Sequence, residues 1–263
     1  MKAIILAAGE GKRLRPLTNN TPKCMVELFG KSMLQRQIDI FRKSGITDIS
    51  VITGYCSDKI QIPSVRYFHN KNYDTTNMVE TLFCAKDAMS DSVIVSYGDI
   101  VFQQNVLQKL MQSNDDYSVI VDKNWYEYWQ ARFQNPLDDA ESLVIDGSGF
   151  ITNIGQKVTN LDSVMGQYIG LMKFQGAGLE FLKKHYEDLK RAAQNGKNPL
   201  NPNLPFEKSY MTDLLNELIS ANCKLKAIPI NNGWLELDTI NDYDLYEKLH
   251  NDNSLNKFYV PDT

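Results

Sequence analysis

Leu6-Ala7-Ala8-Gly9-Glu10-Gly11-Lys12-Arg13-Leu14-Arg15-Pro16-Leu17-Thr18, followed by Pro22-Lys23, is the stretch whose reading decides the fold. An apolar strand, Ala3 to Ala7, runs straight into a turn of small residues. The small side chains at Ala7, Ala8, Gly9 and Gly11 let bare backbone N–H groups approach a ligand, and Lys12, Arg13, Arg15 and Lys23 crowd positive charge onto the same segment. Together these are the needs of a polyphosphate. Two other glycine loops are excluded by spacing. A dinucleotide fingerprint requires a third glycine where Leu14 stands, and a Walker loop requires glycine at Leu6 and Ser or Thr at Arg13.

Outward from that loop, β-branched runs alternate with helical periodicity. Leu34, Ile38 and Phe41 recur at helical spacing before Gly45, and Asp48 to Thr53 reads as a second strand. Ser64 to His69 is a short third strand. Met78, Leu82, Ala85 and Met89 mark a helix face, and Ser92 to Tyr97 is a buried strand closed by Gly98-Asp99. Such alternation predicts an α/β fold: a Rossmann-like, doubly wound mixed sheet, mainly parallel and flanked by helices.

The second half is less regular. Val106, Leu107, Leu110 and Met111 give a short helix, and Tyr117 to Asp122 a strand; Trp125 to Glu141 is an aromatic, charged insertion with no clean period. Leu143 to Ile145 and Phe150 to Ile154 flank the turn Asp146-Gly147 as a hairpin, followed by strand Tyr168 to Phe174 and helix Leu179 to Ala193. After a Pro/Asn loop, Met211, Leu214, Leu215, Leu218 and Ile219 define a helix face. Strands Lys224 to Pro229 and Trp234 to Leu237 and a helix from Asn241 complete the reading. No internal repeat is visible.

The chain has 263 residues, 43% of them apolar, which suits one large domain over residues 1–263 with an insertion around 123–170. A net charge of −4 gives no global basic field, so nucleic acid is not expected as a partner. No apolar run is long enough to span a bilayer or form a signal-peptide core, so no membrane association and a cytoplasmic location are expected. Cys24, Cys56, Cys84 and Cys223 lack C-x-x-C spacing and read as reduced packing thiols. With only three histidines and no G-x-S-x-G elbow, a Ser-His-Asp hydrolase has little support. Self-association is left open.

The string Leu6 to Thr18 with Pro22-Lys23 resembles the signature of the nucleotidyltransferases that join a nucleoside triphosphate to a phosphorylated acceptor. That resemblance implies roles for Arg13, holding the departing pyrophosphate, and Lys23, bridging the α-phosphate and the incoming oxygen. Asp99, immediately after a buried strand, sits where a carboxylate can face a phosphate through Mg²⁺. The segment Trp234 to Tyr243 carries a second acidic cluster. Generically it is a helix start capped by Asp238 or Thr239; in the family such a segment supplies the second magnesium ligand, which puts Asp238 there. The nucleotide is expected against Leu6, Ala7, Ala8, Gly9, Gly11, Thr76, Asn77 and Gly98. Asn77 offers a donor and an acceptor to a base edge and equally suits a helix cap, and the two roles are not exclusive.

The loop Asn72 to Asn77 lacks the glutamine-and-glycine-rich stretch of the sugar-1-phosphate thymidylyl- and uridylyltransferases. It is more similar to the small cytidylyltransferases that activate phosphocholine and aminoethylphosphonate. Asp122 to Trp125, Trp129, Arg132-Phe133, Asn135 to Glu141, Gln167 to Gly170 and Tyr210 to Thr212 resemble the phosphoglutamine cytidylyltransferases of phosphoramidate-decorated capsules. On this reading the substrates are CTP and a small phosphorylated acceptor, and the product is CDP-linked. Lys123 and Arg132 are expected to hold an acceptor carboxylate, with Trp125, Trp129 or Trp234 facing an ammonium. Gln167 and Tyr168 complete the expected acceptor set. Aromatics in such a loop also commonly anchor it to the core. The alternatives are a phosphocholine or aminoethylphosphonate enzyme, a sugar-1-phosphate nucleotidyltransferase, and a non-catalytic nucleotide-binding module.

Overall fold

The computed structural model describes residues 1–261. Its elements run β1 (Lys2–Ala7), β2 (Glu27–Leu28), β3 (Lys31–Ser32), α1 (Met33–Lys43), β4 (Ile49–Thr53), β5 (Arg66–His69), α2 (Met78–Phe83), β6 (Ser92–Tyr97), β7 (Ile100–Phe102) and α3 (Gln104–Met111). They continue with β8 (Tyr117–Asp122), α4 (Trp125–Arg132), β9 (Glu141–Ile145), β10 (Ile151–Lys157), β11 (Gln167–Gln175), α5 (Gly176–Gln194), α6 (Met211–Ser220), β12 (Leu225–Ile230), β13 (Trp234–Glu236) and α7 (Ile240–Asn251).

Seven strands form the central sheet in the order β12-β8-β11-β6-β1-β4-β5. All neighbours pair in parallel except β11, which is antiparallel to both β6 and β8. The architecture is the mixed, mainly parallel α/β sheet expected from the alternation of patterns. Burial on both faces explains why β1 is a continuous apolar run. Ala3, Ile5 and Ala7 point into a core shared with α1, α3, α4 and α7, while Ile4 and Leu6 point into a second core with α2, α5 and α6. No helix among the described residues is long and apolar enough to cross a membrane.

Three differences from the sequence reading bear on the site. First, Trp125 to Arg132 is a helix, not an aperiodic insertion. Its inward positions Trp125, Tyr128, Trp129 and Arg132 follow i, i+3, i+4, i+7, but three amphipathic aromatics and an arginine make up the stripe, so hydrophobicity alone does not reveal it. Second, the α2 face ends earlier, at Phe83, and Ala85 and Met89 are buried through a following short 3-10 turn. Third, β7 is absent from the sequence reading. Its three residues pair antiparallel with β13, Ile100 opposite Glu236 and Phe102 opposite Trp234, and the Leu237 N–H donates to the Asp99 carbonyl at 2.9 Å. This small ladder draws the Asp99 and Asp238 segments together from distant parts of the chain.

Candidate active site

The parallel strands direct the carboxyl ends of β1, β4, β5 and β6 to one edge, where ligands of open α/β sheets bind. The loop after β1 is held rigidly there. Gly11 adopts φ +66°, and a Cβ at that position would lie 2.9 Å from the Lys23 Cβ. The Thr18 hydroxyl, fully buried, donates to the Gly11 carbonyl at 2.7 Å, and Leu14 anchors the turn in the core. Tyr55 ties the loop to the end of β4: its N–H donates to the Ala8 carbonyl, and its hydroxyl to Asn19.

At β6 the requirement is close approach rather than backbone hand. A Cβ on Gly98 would lie 2.5 Å from the Leu6 carbonyl oxygen, so only glycine lets the strand end turn beside β1 and present Asp99. Gln37, fully buried in α1, fixes the flanking backbone by donating to the carbonyls of Tyr97 and Ile100 at 2.9 and 2.7 Å.

Four charged groups meet at this edge. Lys23 Nζ donates to Asp99 Oδ2 and to Asp238 Oδ1, each at 2.7 Å, and Arg13 pairs with the other oxygen of Asp238. The Lys23 side chain is only 12% exposed and that of Arg13 65% exposed. Burial alone would depress the Lys23 ammonium, but the opposing carboxylates Asp99 and Asp238 outweigh it and hold its pKa above the usual lysine range. Asp238 is in turn held below the ordinary carboxylate range, because Lys23 and Arg13 overcome the cost of its own burial. Glu10 pairs with Arg15 and with Lys12, so the remaining cations of the loop are also matched by carboxylates within the protein.

Beside this quartet lies a cleft lined by Leu6, Ala7, Ala8 and Gly9 from the β1 loop, Lys23, Gly98 and Asp99, and by Tyr73, Thr76, Asn77 and Met78 opposite. Gly11 shapes the loop without lining the cleft. Asn77 caps α2, its side chain accepting from the Met78 N–H at 2.9 Å. Thr76 is held by Asn70, which donates to both the Thr76 and Thr81 hydroxyls at 2.9 Å.

A second cleft adjoins the first across Met78 and Tyr97. Gln167, Tyr168, Trp129 and Trp234 line it, together with Asp139, Glu141, Glu236, Tyr210 and Thr212. Its walls carry three carboxylates and, among the described residues, no cationic side chain. The Trp129 indole donates to Asp139 Oδ2 at 3.1 Å and so fixes that carboxylate. Burial raises the Asp139 carboxyl, with Asp238 adding to the effect against Arg132. Burial pushes Glu236 up to about 7, opposed by Arg132 and Lys23 and reinforced by Asp238 and Asp99. Glu141 lies open at the rim, yet desolvation, then repulsion from Asp139 and Asp213, pushes it up to about 7.

Three residues expected at the acceptor are elsewhere. Lys123 Nζ donates to the Met165 carbonyl, and Trp125 packs edge-on against Trp129 and Tyr126 without reaching the cleft. The Arg132 side chain is wholly buried and engages Asp242 and Glu236. A buried guanidinium needs fixed acceptors, and here the protein itself supplies them. Asp139, Glu141, Tyr210 and Thr212 are cleft groups that entered the sequence reading only through a resemblance, with no role assigned, and Glu236 was not assigned a role either. Glu236 stands within the acidic segment around Asp238, and that was its one visible signal.

Comparison with known proteins agrees with this arrangement. Residues 3–143 match the MobA-like NTP transferase domain. The chain is 40% identical over 256 residues to the CTP:phosphoglutamine cytidylyltransferase of Campylobacter jejuni subsp. jejuni serotype O:2, spanning 93% of this chain and 98% of that protein. It is 35% identical over 117 residues to the choline-phosphate cytidylyltransferase of Streptococcus pneumoniae, 43% of this chain and 51% of that one. Among solved structures, the S. pneumoniae CTP:phosphocholine cytidylyltransferase has a TM-score of 0.68 at 21% identity, covering 94% of this chain and 98% of that chain. The inositol-1-phosphate CTP transferase from T. maritima has a TM-score of 0.70 at 19% identity, covering 94% and 95%. These two structures share the fold. The chain belongs to the MobA-like NTP transferase family.

Proposed function

We propose that the protein transfers CMP from CTP to a small phosphorylated acceptor, phosphoglutamine, and releases pyrophosphate. The observation that carries this reading is the similarity to a phosphoglutamine cytidylyltransferase along almost the whole chain, together with a phosphate-type loop whose cleft opens directly onto a second, acidic one. Residues 1–263 then act as one domain in the cytoplasm, with 123–170 supplying much of the acceptor side, in the service of capsule or cell-surface modification.

In the reaction an anionic oxygen of the acceptor's phosphoryl group attacks the α-phosphorus of CTP. The new O–P bond forms as the bond to the bridging α–β oxygen breaks, and the electron pair leaves with pyrophosphate. That oxygen is already a nucleophile, so no general base is needed and the protein contributes alignment and charge neutralisation. The β1 loop cradles the phosphates, Lys23 sits between α-phosphate and incoming oxygen, and Arg13 balances the charge on the leaving group.

Asp99 and Asp238 would hold Mg²⁺. The donor set fits a hard cation, since Asp99 Oδ1 is buried with no hydrogen-bond partner and both carboxylates lie at the edge where the phosphates arrive. When bound, the ion would neutralise phosphate charge and polarise the α-phosphoryl group.

One observation favours a second reading. Phosphoglutamine carries an ammonium and a carboxylate, and the acceptor cleft offers carboxylates for the first but no cation for the second. A purely cationic tail such as choline suits those walls equally. Turnover of CTP with phosphoglutamine and with phosphocholine under the same conditions separates the two: a higher kcat/KM for phosphoglutamine supports the first, and a higher value for phosphocholine supports the second.

A further inference from the structure

Arg132 stands behind the wall of the second cleft, bonded to Glu236 of its lining, without lining either cleft. Its stem and guanidinium are packed among aromatic rings, 5.4 Å from the Tyr128 and Trp129 centroids and 5.0 Å from that of Phe133, with the side chain 0% exposed. Nε donates to Asp242 Oδ1 at 2.9 Å and Nη2 to Asp242 Oδ2 at 3.3 Å, while Nη1 donates to Glu236 Oε2 at 2.8 Å. Asp242 is itself 3% exposed, and its Oδ2 receives the backbone N–H groups of Asp238 and Thr239 at 3.1 and 2.8 Å and the Thr239 hydroxyl at 3.0 Å. The helix that carries Arg132, α4, also holds β13 through Tyr128, whose hydroxyl accepts from the Glu236 N–H at 2.9 Å.

We propose that Arg132 is a positioning residue: through Asp242 it fixes the backbone that presents Asp238 to Lys23 and Arg13, and directly it orients Glu236 in the acceptor cleft. One guanidinium thus sets a carboxylate in each half of the site. Arginine is required rather than lysine, because two carboxylates are held through a planar fork of three donors. Asp242 also closes the N-terminal capping box of α7 with Thr239, which makes the start of that helix part of the device.

The inference rests on the nucleotidyltransferase reading, and is measured relative to a parent protein that turns over; a parent inactive with every nucleotide and acceptor would overturn that reading first. Arg132→Met keeps the stem among the rings and removes the fork. With CTP and acceptor both saturating, kcat is expected to fall roughly 10²-fold, the scale set by misplacing a charged group at a reacting centre. Calorimetric CTP affinity should stay within about threefold, and the preference between phosphoglutamine and phosphocholine should be unchanged. Arg132→Lys should recover only part of the loss. Asp242→Asn should reproduce the loss of kcat, and the double variant should lower kcat little further than Arg132→Met alone, because the effect on kcat runs through the Arg132–Asp242 linkage. A raised acceptor KM with kcat intact, or a lost acceptor preference, would instead make Arg132 an acceptor contact and overturn the proposal. So would full additivity of the two substitutions. Where Arg132→Met fails to fold, Arg132→Lys and Asp242→Asn carry the same test through the split between kcat and KM.

Discussion

Replacing Lys23 with methionine, which keeps the stem and deletes the charge, probes the centre of the site. Lys23 makes two 2.7 Å charge-assisted bonds, and its loss leaves Asp99 with no cationic neighbour at bonding distance among the described residues and Asp238 with Arg13 alone. Breaking a buried ion pair from one side costs about 3–5 kcal/mol. The low end applies here, since the partners keep some exposure to water and Asp238 retains a cation. A loss of about 3 kcal/mol lowers the Tm of a domain of this size by roughly 6–12 °C. Catalysis loses more than binding: removing a preorganised group that meets charge developing in the transition state costs roughly 10²–10³-fold in kcat, about 2.7–4 kcal/mol. The assay is continuous pyrophosphate release, giving kcat and KM for CTP, with circular dichroism to verify the fold at the working temperature. A folded Lys23→Met protein with kcat within threefold of the parent and only a raised KM for CTP would refute the reasoning and make Lys23 a ground-state phosphate contact.

Asp99→Asn and Asp238→Asn should each leave a folded protein and lower turnover by at least ~10²-fold, and a folded variant with parental turnover would remove that residue from the site. Glu141, raised from 4.5 to about 7, attracts an ammonium only when ionised, so acceptor KM should rise as pH falls through about 7. For folding the sign is opposite: a carboxyl raised in the native state binds more protons there, so its contribution to stability declines as pH rises from about 4.5 through 7. Glu141→Gln should flatten the KM profile, and an unchanged profile would exclude Glu141 from acceptor recognition. Gly98→Ala places a Cβ against the Leu6 carbonyl and should depress both Tm and kcat; parental values of both would mean that the β1–β6 approach is looser than the packing requires.

Much of this site was legible because its parts are local. The small residues and cations after β1 announce a phosphate loop by composition and spacing, and Gly98-Asp99 follows a buried strand whose end is easy to read. Alternation of strand and helix patterns gave the sheet for the same reason. What stayed hidden depends on long-range pairing. Nothing in Ile100 to Phe102 identifies a strand until Trp234 to Glu236 lies beside it. The charge of Arg132 suggested a ligand partner, whereas its burial and its bonds to Asp242 and Glu236 are properties of the folded chain alone. The acidity of the acceptor cleft is of the same kind, assembled from Asp139 and Glu141 on one segment and Glu236 on another.

Pyrophosphate release measured with CTP, UTP, ATP, GTP and dTTP in turn, each against phosphoglutamine, phosphocholine, 2-aminoethylphosphonate and glucose 1-phosphate, tests the central claim most directly. The account predicts that CTP with phosphoglutamine gives the highest kcat/KM, as the similarity along almost the whole chain to a phosphoglutamine cytidylyltransferase implies. Faster turnover of UTP or dTTP with glucose 1-phosphate, or no release from CTP with any acceptor, would contradict it.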